Sequence, residues 1–227
     1  MCIRDSTNIL LKVMVKRDLR VHSKPAVCDV YRFLASTKKK IGILGGSFNP
    51  PHLGHLHISL LALKRLQLDE IWWLVSLSNP LKRSVNSENY FKRLEKCSSV
   101  FLDKRIKIVD LEYSMTTFYT FDIITQILKR CRNSQFIWIM GADCFERMDL
   151  WFRWEDIFKK IPIAIFSRNL RNMKALASKA AIRYKMFKIP SNQRESGVFL
   201  AGKPAWIFLH EKCVDFSSTK IRGKREG

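Results

Sequence analysis

The chain has 227 residues, 47% hydrophobic and 11% aromatic, which supports one well-filled core and excludes general disorder. Its 41 Lys and Arg against 20 Asp and Glu leave a net charge of +21, so polyanions such as nucleotides, nucleic acid or an anionic membrane surface are the attractive partners. The basic residues are scattered and belong mostly to solvated faces; a binding pocket needs only a handful. No apolar run approaches the roughly 20 residues that span a bilayer, and the opening "NILLKVMVKR" is broken by Lys12 and lacks a small-residue cleavage site. The six cysteines (Cys2, Cys28, Cys97, Cys131, Cys144 and Cys213) form no C-x-x-C pair and no zinc spacing, which points to reduced thiols in a cytoplasmic protein. Cys144 reads as a packing residue.

Residues 1–39 show little periodicity and read as a poorly structured extension or a misassigned start, with one domain over 40–227. "KIGILGG" is then an apolar run closed by glycines, expected as a buried parallel strand entering a tight turn. Leu53, Leu56, Leu60 and Leu63 recur at helical spacing, and this helix should end near Leu68–Asp69. "EIWWLVSL" is a second buried strand, stopped by Pro80. A helix over Ser87–Phe101, a strand in "RIKIVDLE" and a helix from Thr120 follow. "QFIWIMGAD" repeats the strand-then-glycine pattern, "LWFRWEDIFKK" is helical and "IPIAIFSR" is a strand. Residues Asn172–Lys185 read as one helix, "PAWIFLH" as the last strand, and "SSTKIRGK" as the opening of a short helix. This alternation predicts an α/β fold: a doubly wound, mostly parallel sheet with helices on both faces and ligands at the carboxyl ends of the strands.

The chemistry concentrates at three of those ends. In "GGSFNPPHLGH", Gly45 and Gly46 allow close backbone approach, and a helix start after Pro50-Pro51 offers N–H groups and a positive dipole end to an anion. The pattern is neither a Walker A loop nor the dinucleotide fingerprint. His52 and His55 stand three residues apart, on one face of the helix's first turn, with Gly54 between them. The third ligand that a metal pair would need is not apparent nearby. In "FSSTKIRGK", Ser217, Ser218 and Thr219 suit an N-cap and Arg222 lies one turn on, which fits either a routine helix cap or a phosphate site of hydroxyls, backbone N–H groups and a guanidinium. In "GADCFERMDLW", Gly141 and Asp143 at a strand end suit a ribose hydroxyl.

"GGSFNPPHLGHL" resembles the signature of the H-x-G-H nucleotidylyltransferase superfamily, and in its G-G-[ST]-F-[DN]-P-x-H form it resembles the bacterial nicotinate mononucleotide adenylyltransferases. The likeness runs from about Lys40 to Arg222. It implies a Rossmann-like nucleotidylyltransferase fold that joins ATP and nicotinate mononucleotide into deamido-NAD. By the resemblance His52 and His55 are catalytic, stabilising charge on the α-phosphate. Gly45, Gly46, Ser47, Phe48, Gly141, Asp143, Arg168, Ser217, Ser218, Thr219 and Arg222 fall at ATP-binding positions, with Phe216 in place of the usual Ile. Asn49, Lys82, Tyr119, Thr120 and Trp151 fall at mononucleotide positions, Trp151 stacking on the pyridine ring and Phe118 replacing a small residue. Asn79 and Arg93 match positions that hold phosphate or mononucleotide, while Trp154 reads as packing. Asn169 and Leu170 depart from the Pro-Gly expected near the adenine.

Such chemistry needs positioning and charge neutralisation, with no side-chain nucleophile; Mg²⁺ is expected to arrive with ATP, without a dedicated carboxylate cage. Two other readings stand beside it. One is a sister adenylyltransferase acting on nicotinamide mononucleotide or phosphopantetheine. The other is a basic nucleic-acid-binding protein, which the charge invites but no recognised binding motif supports. Self-association into a homo-oligomer is left open.

Overall fold

The computed structural model describes residues 38–77, 89–100, 103–112, 117, 119–167, 173–191, 195–199 and 201–210. Most of the expected extension, Asn79 to Lys82, Phe118, Arg168 to Leu170 and the whole "FSSTKIRGK" segment lie outside the described residues.

Seven strands form one sheet: β1 (Lys40–Gly46), β2 (Glu70–Val75), β3 (Ile106–Val109), β4 (Gln135–Gly141), β5 (Ile163–Ser167), β6 (Lys188–Ile189) and β7 (Trp206–His210). Their order is β3-β2-β1-β4-β5-β7-β6, and every pairing among them is parallel. Because both faces of such a sheet must be covered, its strands are apolar almost throughout: β5 is buried at all five positions. Trp72 and Trp73 are adjacent on β2, so they point to opposite faces and anchor separate cores.

On one face α1 (Leu53–Arg65) and α2 (Tyr90–Val100) set Leu56, Leu63, Leu94 and Cys97 against Leu44, Trp73 and Ile139. On the other, α3 (Thr120–Arg130), α4 (Ala142–Glu146) and α5 (Trp154–Lys160) set Ile124, Phe145 and Phe158 against Ile43, Trp138 and Ile165. Each fully buried aliphatic or Phe side chain contributes about 1.5–3 kcal/mol relative to exposure. The doubly wound sheet expected from the alternation is the observed architecture.

Several elements differ from the periodicity-based expectation. Leu60, counted in the apolar stripe of α1, is exposed, and the buried face instead runs through Leu56, Ser59, Ala62 and Leu63. The helix expected over 172–185 is two short ones, α6 (Met173–Leu176) and α7 (Lys179–Arg183), because the Ser178 side chain accepts from Ala181 N–H and starts a new helix. The helix expected from Leu150 begins only at Trp154, since Arg153 takes a left-handed conformation before it. The two-residue edge strand β6 lacks any alternation long enough to read.

Candidate active site

β1 and β4 are neighbours, yet the chain runs from β1 toward β2 on one side and from β4 toward β5 on the other. Their carboxyl ends therefore open the crevice in which doubly wound sheets take ligands. The "GGSFNPPHLGH" turn leaves β1 there and "GAD" leaves β4 there, so the fold brings together two of the three segments singled out by sequence.

His52 is the N-cap of α1, and its Nδ1 accepts from Gly54 N–H at 3.1 Å. His55 returns the arrangement: its Nδ1 accepts from His52 N–H at 3.2 Å. The two imidazoles thus form a reciprocal capping box in place of the usual Ser and Glu. A ring nitrogen that accepts from a backbone N–H carries no proton, so each neutral imidazole holds its proton on Nε2. The rings lie 3.9 Å apart by centroid. The backbone of α1's first turn therefore sets both tautomers and presents two N–H donors of one kind.

Behind the pair the support is aromatic. Phe48 stacks on Trp73 at 4.8 Å and tilts against His55 at 4.6 Å. Trp73 Nε1 donates to Ser59 Oγ at 2.8 Å, and that hydroxyl donates to the His55 carbonyl at 2.8 Å. Phe48 is 1% exposed, so its ring is a prop for His55, and only its backbone is available to a nucleotide. The third histidine of the stretch, His57, has a buried Nε2 with no hydrogen-bond partner, and burial holds its imidazole below the usual range.

The glycines have a packing reason as well. A Cβ on Gly45 would sit 2.6 Å from Cζ2 of Trp138, whose side chain crosses the strand end there, and one on Gly46 would meet the Phe48 ring at 3.3 Å. Ser47 and Asn49 continue the turn toward His52. At the end of β4, Asp143 folds back on the strand end, its Oδ1 2.5 Å from where a Gly141 Cβ would be. Its carboxylate is exposed at the crevice. Cys144 beside it is exposed, which corrects its reading as a packing residue.

Trp151 is half-buried and meets Trp138 edge-on at 6.3 Å. Tyr119 is 45% exposed at the N-terminus of α3, with Thr120 following, and its ring lies 4.6 Å from Phe152. Tyr119 therefore comes to the Trp151–Phe152 segment. Motif reading did not single out Phe152 and Trp138, the rings that Tyr119 and Trp151 meet; their signal was aromatic density in "WFRW" and "FIWIMG". Trp154 packs on Phe158 and Tyr184, as expected of a core residue.

Arg93 is bound to backbone. It is 3% exposed, and its guanidinium donates to the carbonyls of Ser47 (2.6 Å), Ser76 (2.7 Å) and Leu77 (3.1 Å). It staples the ends of β1 and β2. Around it lie Tyr90, which bonds Asp110, and Glu112, whose Oε2 accepts from Leu77 N–H at 2.7 Å. Burial pushes the Glu112 carboxyl up to about 8, against the opposing pull of the Leu77 N–H and the Arg93 guanidinium. The folded state thus holds this proton more tightly than the unfolded chain. Its stabilising contribution is complete below the ordinary value of 4.5 and lost as pH rises through about 8. Glu112→Gln keeps an acceptor for Leu77 and removes the titration. Across that window wild-type stability should fall relative to the variant by up to about 1.4 kcal/mol per pH unit, read from urea midpoints; parallel profiles would count against it.

Among the described residues no group of three or more His, Cys, Asp or Glu side chains could hold a metal ion, and no helix is long and apolar enough to cross a membrane. Lys82, Arg168, Ser217, Ser218, Thr219 and Arg222 lie outside the described residues.

The chain is similar to known proteins in sequence and in fold. A family model described as cytidylyltransferase-like matches residues 43–224. A protein of Bradyrhizobium sp. (strain ORS 278) named "Probable nicotinate-nucleotide adenylyltransferase" is 40% identical over 186 residues, covering 81% of this chain and 95% of the relative. One of the same name from Ruegeria sp. (strain TM1040) is 36% identical over 182 residues, 80% of this chain and 95% of the relative. The fold is similar to that of Plasmodium falciparum nicotinic acid mononucleotide adenylyltransferase complexed with NaAD, with a TM-score of 0.59 at 18% identity over 82% of this chain and 83% of that one. The chain belongs to the cytidylyltransferase-like family and, within it, to the nicotinate-nucleotide adenylyltransferases.

Proposed function

We propose that the protein transfers AMP from ATP to nicotinate mononucleotide, giving deamido-NAD and pyrophosphate in NAD biosynthesis. The observation that carries this is the His52–His55 capping box at the crevice, which fixes two Nε2–H donors side by side on a helix N-terminus. In the reaction a phosphate oxygen of the mononucleotide attacks the α-phosphorus in line. The new P–O bond forms as the bond from the α-phosphorus to the β-bridging oxygen breaks, and that oxygen leaves on pyrophosphate with the electron pair. Charge grows on the equatorial oxygens of the α-phosphate, where two preoriented donors and the helix dipole stabilise it most.

The remaining roles belong to the same proposal. Gly45, Gly46, Ser47 and the Phe48 backbone line the triphosphate's approach; Gly141 and Asp143 receive the ATP ribose. Arg168, Ser217, Ser218, Thr219 and Arg222 complete the ATP site. Asn49, Lys82, Tyr119, Thr120 and Trp151 hold the mononucleotide. Nucleotidyltransferases in general use a divalent cation; in this reading it is Mg²⁺, entering as part of the substrate Mg-ATP. A cytoplasmic location fits the free, buried thiols of Cys97 and Cys131.

Initial rates of pyrophosphate release with nicotinate mononucleotide, nicotinamide mononucleotide and phosphopantetheine separate this reading from its sister activities. The first should lead clearly; a preference for either other acceptor would overturn the assignment. Stacking on an aromatic ring is worth about 1–3 kcal/mol. Trp151→Leu should therefore raise KM for the mononucleotide about tenfold with KM for ATP little changed; an unaltered mononucleotide KM would remove Trp151 from the pocket.

A further inference from the structure

The buried cluster at the ends of β1 and β2 has a geometry that reaches the histidine pair. Arg93, three residues into α2, gathers three carbonyls from two strands: Ser47 beyond β1, Ser76 and Leu77 beyond β2. The Leu77 N–H is held from the other side by Glu112, and Ser76 N–H donates to Gly46 O at 2.9 Å. Burying a guanidinium costs several kcal/mol unless its hydrogen bonds are met, so the arrangement is specific to an arginine fork.

Its consequence lies one residue beyond Ser47. The Ser47 carbonyl and the Phe48 N–H share one rigid peptide plane, so holding that oxygen fixes the plane on which Phe48 turns. Phe48 has φ of 46°, a left-handed conformation that costs a non-glycine residue about 1–3 kcal/mol and persists only where its surroundings determine it. In this conformation its ring lies between Trp73 and His55. Trp73 fixes one side of the ring by packing; Arg93 fixes the backbone from which it projects.

Resting on the reading of His55 as a catalytic donor, we propose that Arg93 is a positioning residue for adenylyl transfer, acting through Ser47 and Phe48 to hold the His55 imidazole in line with the reacting phosphate. It contacts no substrate. A lysine at this position keeps the charge but cannot span three carbonyls with a planar fork.

The test is Arg93→Lys, compared with Phe48→Leu, each alone and with His55→Ala. Misplacing a catalytic group by about 1 Å costs on the order of 100-fold. Each single variant should lower kcat about 10- to 100-fold with both KM values within about threefold, and should lower kcat less than about twofold further in the His55→Ala background. In imidazole ¹H–¹⁵N spectra the His55 signals should shift in both variants while those of His210 stay in place. A purely structural Arg93 would lower the melting temperature without moving kcat per folded molecule. That result, full additivity with His55→Ala, or unmoved His55 signals would overturn the proposal. Should Arg93→Lys fail to fold, Phe48→Leu leaves the charged cluster intact and decides by the same readouts. The spectra need no turnover, so they judge the relay even if none of the three acceptors yields pyrophosphate, an outcome that would sink the functional reading instead.

Discussion

Replacing His55 by alanine should lower kcat about 100- to 1,000-fold, the range seen when one preorganised donor is removed from a developing oxyanion. KM should change far less, because the donor acts most strongly on charge that exists only in the transition state. The substitution also removes the acceptor for His52 N–H, which should cost about 1 kcal/mol of stability, the usual worth of a cap. His55→Asn separates the two effects. Its amide oxygen can still accept from the N-cap while no Nε2–H remains, so stability should recover and activity should not. Steady-state rates paired with melting curves read both outcomes; near-normal kcat in a folded His55→Ala protein would remove the mechanism.

The second large effect is on folding. Gly42 lies in β1, between β2 and β4 inside the sheet, and a Cβ there would meet the δ-methyls of Ile139, Ile71 and Leu68 at 2.5, 2.6 and 2.7 Å. Those three side chains are at most 5% exposed and belong to the same core cluster as the buried residues of α1, so added methyls must displace buried neighbours. Overpacking of this kind costs about 1–3 kcal/mol for small insertions, and valine adds two further methyls. Gly42→Val should therefore lose about 3 kcal/mol or more, a large share of a typical domain's stability, and unfold well before the wild type in urea. A variant with the wild-type urea midpoint would mean that the strands are less tightly packed than these distances require.

Gly42 also illustrates what a sequence conceals. Its neighbours in "KIGILGG" read correctly as a buried strand, because long apolar runs closed by glycine carry a strong local signal. The reason for each glycine is tertiary: Gly42 leaves room for the δ-methyls of Leu68, Ile71 and Ile139 and Gly45 leaves room for Trp138, none of them near in sequence. Likewise the spacing of His52 and His55 placed both on one helical turn, but only the backbone geometry shows that each imidazole caps the other's segment and which nitrogen keeps the proton. Arg93 was legible as a matching position, but its three carbonyl partners were not, since they come from residues 47, 76 and 77. Asp110 and Glu112 carried no sequence signal beyond two acids near a strand end. Their significance comes from burial beside that guanidinium.

The most direct measurement is to incubate the folded protein with Mg-ATP and nicotinate mononucleotide and resolve the products by chromatography. The account predicts deamido-NAD and pyrophosphate in equal amounts, formed at a rate that His55→Ala lowers about 100- to 1,000-fold. Absence of the dinucleotide in the presence of folded, His-intact protein would contradict it.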